Sequence, residues 1–151
     1  MRRIAAGILL LLTASSLVSG CWSRREVDEL SIILGVAVDK AGPDRVRLTI
    51  AVARPTEVAA REGRGRGKPM WIVSAEGKTI EEADRMLALE SPRQLFWSHT
   101  KLLVFGEELA RSGVDPYLDF FARGRETRLT IWVVVSRGEG REILRTVPEL
   151  Q

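Results

Sequence analysis

The sequence predicts an α+β domain in which helices pack against a mixed β-sheet. The 151 residues are 45% hydrophobic and 28% charged, an ordinary globular composition that allows one core. Apolar runs of strand length are separated by segments with helical periodicity. Three strands come first, followed by the order helix, strand, helix, helix, strand, helix, and this order predicts a mixed sheet with packed helices.

Residues 1–20 are predicted to be a lipoprotein signal peptide that precedes the fold. Arg2 and Arg3 supply positive charge, and the apolar run 4–18 is about fifteen residues, shorter than the roughly 20 that span a bilayer. The sequence "VSGC", ending at Cys21, resembles a bacterial lipobox, whose thiol takes a diacylglyceryl group before cleavage leaves the cysteine first. The alternative is an ordinary signal peptide cut nearby, with an incidental cysteine. Cys21 is the only cysteine, so in an exported protein it would have no disulfide partner within the chain. Lipidation therefore explains Cys21 better than an incidental free thiol does.

The mature chain is predicted to begin with a lipidated tether, residues 21–30, and to continue as one domain, residues 31–151. The run 31–39, "SIILGVAVD", is rich in Ile and Val and predicts a strand buried on both faces. In residues 44–53, apolar and other residues alternate as in a half-buried strand. A turn at Gly42-Pro43 separates the two, so we expect a hairpin.

Residues 54–69 interrupt this pattern and predict a loop. The segment contains glycines, prolines and five basic residues but no aromatic residue. Its "GRGRGK" part lacks P-loop spacing, because three residues separate Gly63 from Gly67 and Pro69 follows Lys68. A solvated loop, contact with anionic lipid headgroups and an anion site remain open. A third strand is predicted over residues 70–75.

The first helix is predicted to begin at Thr79, which has capping-box spacing with Glu82. It is expected to end before Ser91-Pro92. Its predicted packed face contains Ile80, Ala83, Met86 and Leu87.

The rest of the chain is predicted to form two strands and three helices. Asp115 is expected to cap the second of these helices, with Pro116 in its first turn. The strongest strand signal in the chain is "RLTIWVVVS", residues 128–136. The predicted ranges are a strand over 101–106, helices over 107–113 and 114–124, a strand over 128–136, and a helix over 139–147 ended by Pro148.

No pattern of catalytic or metal-ligating residues emerges from the sequence. His99 is the only histidine, and with Cys21 assigned to lipid no His/Cys metal cluster can form. The pairs Glu81-Glu82 and Glu107-Glu108 lie at predicted helix starts, where the helix dipole favours negative charge. We therefore interpret His99 as structural and expect no enzyme, no cofactor and no metal.

The four tryptophans have different expected environments. Trp22 follows the lipidated cysteine and could lie among lipid headgroups, where indole is favoured. Trp71 and Trp97 are compatible with a core or with a partner surface. Trp132 alternates within a strand and is most simply explained by packing in the core or on a sheet face.

Charge gives no support to a nucleic-acid partner. The formal net charge of +3 includes Arg2 and Arg3, so removal of residues 1–20 leaves +1.

Two long segments resemble the Ger(x)C family, the lipoprotein C subunits of spore germinant receptors. "GCWSRREVDELSIILGVAVDK", residues 20–40, is similar to the start of the mature family proteins. Residues 91–144 resemble a family segment with a His before a Lys-containing strand, then Gly-Glu-Glu-Leu-Ala, Gly-Val, and a helix ending near an Arg before Glu-x-Arg. Family members continue into further domains, so the likeness is to the N-terminal domain, and the chain is expected to be truncated.

The resemblance implies a non-enzymatic subunit that acts in nutrient-triggered germination through protein contacts. It implies attachment at Cys21 to the outer face of the spore inner membrane, and polytopic A and transporter-like B subunits as partners. The alternative function is a lipid-anchored, extracytoplasmic solute-binding protein. An exported hydrolase has the least support, because no nucleophile–base pair is discernible.

Overall fold

The computed structural model describes residues 3–4, 7, 29–53, 70–124 and 130–146, and confirms the α+β class. Within these residues the chain forms strands β1 (Leu30–Gly42), β2 (Arg45–Ala53), β3 (Met70–Gly77), β4 (Gln94–Phe96), β5 (Leu102–Phe105) and β6 (Trp132–Val135), and helices α1 (Ile80–Glu90), α2 (Glu107–Ser112), α3 (Asp115–Arg123) and α4 (Gly140–Thr146). One mixed sheet has the order β3-β2-β1-β5-β6, and β4 pairs with β1.

The strands β1 and β2 form the predicted antiparallel hairpin at the centre of the sheet. Val38 lies opposite Leu48 and Val36 opposite Ile50. The turn begins at Gly42, whose φ of 140° is a conformation that side chains rarely tolerate. β3 continues the antiparallel part beyond β2, whereas β4 and β5 pair parallel to β1 and β6 pairs parallel to β5.

The sheet is covered on both faces, but unequally. Side chains alternate across a strand, so Val36 and Val38 face one side while Ala37 faces the other. The larger core lies on the first side, which we call the main face, against α1, α2 and α3. The smaller core lies on the second side, the α4 face, and its buried residues are Ala37, Ala51, Val104 and Leu144.

Helix α1 confirms the predicted cap at Thr79. The Thr79 hydroxyl accepts a hydrogen bond from the Glu82 N–H at 3.2 Å, and the Glu82 carboxylate accepts one from the Lys78 N–H at 2.6 Å. The prediction for Met86 is wrong, since its side chain is 44% exposed. At 3.6 residues per turn, Met86 lies about 90° around the helix from the centre of the buried stripe. That stripe consists of Ile80, Ala83 and Leu87.

Two other local expectations need correction, and the short strand β4 was not predicted. Helix α3 has Val114 at its N-cap with no side-chain cap, and Asp115 is already in its first turn with Pro116. The strand expected over residues 128–136 is confined to Trp132–Val135 in the described part of the chain. The predictions for residues 54–69, Cys21, Trp22 and Pro148 concern residues outside the described ranges.

Among the described residues, no helix is long and apolar enough to cross a membrane.

Candidate protein-interaction surface

The edge strand β6 carries the most exposed apolar surface of the described sheet. Its four residues are Trp132, Val133, Val134 and Val135, which are 77%, 50%, 36% and 60% exposed. We call these four residues the apolar edge. A sequence run with this composition normally indicates a buried strand. An exposed apolar edge strand is a candidate interaction surface, because native proteins usually shield such edges.

Half of the backbone hydrogen-bonding groups of β6 point away from the sheet. The N–H groups of Trp132 and Ser136 donate to the carbonyls of Lys101 and Phe105, each at 2.9 Å. In a parallel ladder alternate residues bond the same neighbour, so Trp132, Val134 and Ser136 bond inward to β5. The N–H and C=O groups of Val133 and Val135 therefore point outward, on the side where no described strand lies.

The side chains of the apolar edge extend both faces of the sheet. Trp132 and Val134 are in register with Leu102 and Val104, on the α4 face. Val133 and Val135 are in register with Leu103 and Phe105, on the main face. Helix α4 packs over β1, β5 and β2, and α2 packs on β1. Because these helices lie over the middle of the sheet, no described helix packs across either face of β6.

Asp39, at the end of the apolar part of β1, holds α4 over the middle of the sheet. Its side chain is buried, with 2% exposure. Oδ1 accepts the Gly140 N–H at 2.5 Å and Oδ2 accepts the Arg141 N–H at 3.1 Å. These donors are in the first turn of α4, whose N–H groups have no partner within the helix. Asp39 thus joins the central strand to the segment that follows β6.

Two glycines permit this close contact. A Cβ on Gly106 would overlap Asp39 Oδ1. A Cβ on Gly140 would lie 3.1 Å from Val104 Cγ1 and 3.3 Å from the Ala37 Cβ. Gly106 therefore leaves the space that the Asp39 carboxylate occupies, whereas a Cβ at Gly140 would require its neighbours to shift by a few tenths of an ångström.

A groove of about 360 Å³ lies beside Val135, between β6 and α2. Arg111 and Arg137 line it, together with Glu107, Ala110 and Ser136. The Arg111 guanidinium donates to Glu107 at 2.8 Å, and the Gly138 N–H donates to the same carboxylate at 3.2 Å. The hydrogen bond from Arg111, then that from Gly138, lowers the pKa of Glu107 below its ordinary value. At neutral pH this end of the groove thus holds an ion pair.

A second open cavity of about 340 Å³ lies on the other side of Glu107, at Asp39, Lys40 and Glu108. Both oxygens of Asp39 accept N–H groups of α4, and Lys40 pairs with Glu108 at 2.9 Å. A ligand pocket needs polar groups that converge on the ligand. Here these side chains are engaged with the protein, so the cavity does not favour the solute-binding alternative.

The candidate residues from the sequence do not come together in one site. His99 is exposed and lies beside Phe96, with ring centroids 5.4 Å apart. Glu81, Glu82, Glu107 and Glu108 lie in the first turns of α1 and α2, as predicted. No group of three or more metal-ligating side chains occurs among the residues with described positions.

Three tryptophans lie in described parts of the chain, and their environments differ in ways that the sequence did not show. Trp71 and Trp97 pack against the main core, and Trp97 contacts the rings of Phe120 and Phe121. The expectation for Trp132 is wrong in one respect, since it lies on a sheet face but is not packed there.

Sequence reasoning also missed Asp39, whose only signal is a single carboxylate at the end of a strand.

Comparison with known proteins finds one family over most of the chain. Residues 23–151 match the family model described as spore germination protein N-terminal domain. The protein YfkR of Bacillus subtilis (strain 168) is 33% identical over 155 residues, covering 100% of this chain and 40% of that protein.

Two further relatives from the same organism agree. Spore germination protein KC is 34% identical and spore germination protein A3 is 28% identical, and each match covers 90% of this chain. The chain spans 34% of the first and 36% of the second. No solved structure matches the chain.

Proposed function

The chain belongs to the spore germination protein N-terminal domain family, and from this we propose that it is a lipid-anchored receptor subunit for nutrient-triggered spore germination. It acts without catalysis, through contacts with the polytopic A and transporter-like B subunits of a germinant receptor. The observation that carries the proposal is the family match over residues 23–151, which begins two residues after the lipobox cysteine.

The partner assignment draws support from the relatives and from the described surface. Three relatives are spore germination proteins designated KC, A3 and B3, and the chain spans about a third of each. A subunit that acts by contact needs an exposed surface that a partner can cover. The apolar edge, with Trp132 77% exposed, offers such a surface.

The anchoring part of the proposal rests on Cys21 and the residues before it. Diacylglyceryl transfer to the thiol would place two acyl chains on the residue that becomes the N-terminus. Each buried CH₂ adds about 0.8 kcal/mol, so two chains hold a protein stably where one is marginal. The domain would then lie on the outer face of the spore inner membrane.

Substitution of the anchor cysteine tests this part. In Cys21→Ala, we expect no incorporation of labelled fatty acid, because the thiol that accepts the diacylglyceryl group is gone. When the Cys21→Ala change is made in a form secreted with an ordinary, cleaved signal peptide, the protein should move from the membrane fraction to the soluble fraction.

Ser19→Ala is the matched control, since it keeps a small residue before the cleavage point and keeps the thiol. This control should be labelled and fractionate as the wild type does. Undiminished labelling of Cys21→Ala, or full retention of its secreted form on membranes, would show that Cys21 is not the anchor.

A further inference from the structure

We propose that the apolar edge is a strand-addition site, where an extended, apolar segment of a partner polypeptide with acidic ends pairs with β6. This rests on the proposed function, since it specifies how the subunit would contact a receptor partner. The occupant is a strand of another protein, as opposed to a second copy of this chain, a helix or a small molecule. Backbone geometry, side-chain exposure and charge each support this occupant.

The backbone of β6 selects an extended strand. The outward N–H and C=O groups of Val133 and Val135 repeat at the spacing of a strand, and only another strand can satisfy both residues in series. A helix has its own backbone groups already bonded and could contact the side chains alone. The unpaired backbone therefore specifies the conformation of the partner.

The side chains of β6 select an apolar partner on both faces. Trp132 and Val134 are exposed on the α4 face, and Val133 and Val135 on the main face. An added strand would place its own side chains beside these, where apolar cross-strand pairs contribute to sheet stability. On the main face, the groove beside Val135 would receive a side chain near the end of the added strand.

Charge at the two ends of β6 selects acidic flanks. Lys101 is exposed where β6 begins, next to the backbone of Trp132, and Arg137 is exposed just after β6 ends. Within the described residues, neither side chain forms an ion pair. Antiparallel pairing with a second copy would bring Lys101 of one copy towards Arg137 of the other, and like charges in register are unfavourable.

The size of the surface also disfavours a dimer through β6 alone. Four residues cannot supply the roughly 800 Å² per partner of a standard stable interface. Weak strand pairing is sufficient where both proteins are confined to one membrane, because tethering raises the effective concentration. A membrane-bound partner therefore fits the apolar edge better than a free copy of the domain.

A synthetic peptide tests the pairing directly. The probe is the peptide Glu-Val-Ile-Val-Ile-Val-Glu with blocked ends, which is apolar on both faces when extended, titrated into the ¹⁵N-labelled full chain in detergent micelles. We expect saturable shifts of the Val133 and Val135 amide signals, with a dissociation constant of about 1 mM, as for a contact well below standard interface size. The same peptide with an N-methyl group on every backbone amide should give no saturable shift, since neither of its edges can donate hydrogen bonds to the outward carbonyls of β6.

Two variants of the chain distinguish backbone pairing from non-specific apolar binding. Val133→Pro removes an outward N–H that makes no hydrogen bond within the described part of the chain, and proline is tolerated at such edge positions. We expect it to fold, as judged by the dispersed amide signals of β1 and β2, and to weaken peptide binding at least tenfold. Val133→Thr keeps the branched side chain and the N–H, and should bind as the wild type does. A peptide with Lys in place of both Glu residues should bind several-fold more weakly.

Equal binding of the N-methylated peptide, or unchanged binding by folded Val133→Pro, would overturn strand addition. Absence of any saturable shift would overturn it too. Shifts of the β6 amides that depend on chain concentration without peptide would assign the edge to a second copy. Each of these results leaves the membrane anchor at Cys21 untouched, and failure of lipid labelling would leave the peptide result untouched.

Discussion

The two edges of the sheet, β3 and β6, are both apolar strands that contain a tryptophan, yet only one of them is covered. In β3, Trp71 and Val73 are half-buried against the main core, and Ala75 is buried. Helix α1 follows β3 after a short turn and packs back on it and on β2. The solvent end of β3 carries Glu76, which pairs with Arg47 at 2.8 Å. This edge is protected by a helix and by charge.

At the other edge, the helix that follows β6 packs on the central strands and leaves β6 uncovered. The chain turns at Gly138, with φ of 79°, and α4 then lies over β1 and β5. Asp39 holds the first turn of α4 in that position. The placement of the next helix therefore decides whether an edge is covered. Hydrophobicity of the strand does not decide it.

The largest expected effect is from removal of the carboxylate that positions α4. Asp39→Ala leaves two N–H groups of α4 without their acceptor, one of them on the buried Gly140. We expect a loss of about 3 kcal/mol in the free energy of unfolding, from the lost cap and the unpaired buried donor. Chemical denaturation of the full chain measures it.

Asp44→Ala, in the exposed turn between β1 and β2, is the matched control. It should change the free energy of unfolding by less than about 0.5 kcal/mol. Asp39→Asn keeps one acceptor oxygen and should lie between the two. If Asp39→Ala costs no more than the control, α4 is held over the sheet by something else.

The two edge tryptophans give the next largest effect and compare the edges directly. Trp71→Ala removes a ring packed on the main core and should cost about 2 kcal/mol in the free energy of unfolding. Trp132→Ala removes a ring that is 77% exposed, and should cost less than about 0.5 kcal/mol. The same denaturation experiment measures both variants.

Quenching by acrylamide gives an independent readout of the two rings. Trp132→Ala should remove a strongly quenched part of the fluorescence, and Trp71→Ala a weakly quenched part. Equal losses of stability in the two variants would mean that the apolar edge is covered within the isolated chain.

Much of the fold was predictable because its signals are local. The β1–β2 hairpin follows from an apolar run, a turn at Gly42-Pro43 and an alternating run. The cap of α1 follows from Thr79 and Glu82, three residues apart. Their physical causes act within a few residues, so the sequence displays them directly.

The candidate site was not predictable for the opposite reason. The sequence "WVVV" is the same whether a strand is buried on both faces or open on both, because exposure depends on elements far along the chain. Asp39 finds its partners 101 and 102 residues later, a separation that no periodicity reveals. Strand β4 has only three residues, too few to show an alternating pattern.

The smallest expected effect concerns Asp84, on the helix that covers β3. Burial, and to a lesser extent repulsion by Glu81, raises the pKa of Asp84 above its ordinary value of 3.8. Its Oδ1 is buried without a hydrogen-bond partner in the described structure. Ionised Asp84 therefore opposes the packing of α1, so the cover of the β3 edge includes an unfavourable charge.

The sign of the pH dependence follows from this raised pKa. Between the unfolded and folded pKa values, the folded chain retains a proton that the unfolded chain has released, so this group makes stability fall as pH rises through that interval. Asp84→Asn removes the ionisation. It should leave stability nearly unchanged at pH 3 and raise it by less than about 1 kcal/mol at pH 7. Thermal unfolding of wild type and variant at both pH values measures the difference.

Asp119→Asn is the control on an exposed helix position, where Asp119 pairs with Arg123 at 2.7 Å. Its loss should cost less than about 0.5 kcal/mol at pH 7, opposite in sign to the gain from Asp84→Asn. If Asp84→Asn lowers stability relative to wild type at pH 7 but not at pH 3, the ionised Asp84 carboxylate stabilises α1. The charge of Asp84 would then help to hold α1 on β3. The β3 edge and the apolar edge would differ in electrostatic stabilisation as well as in packing.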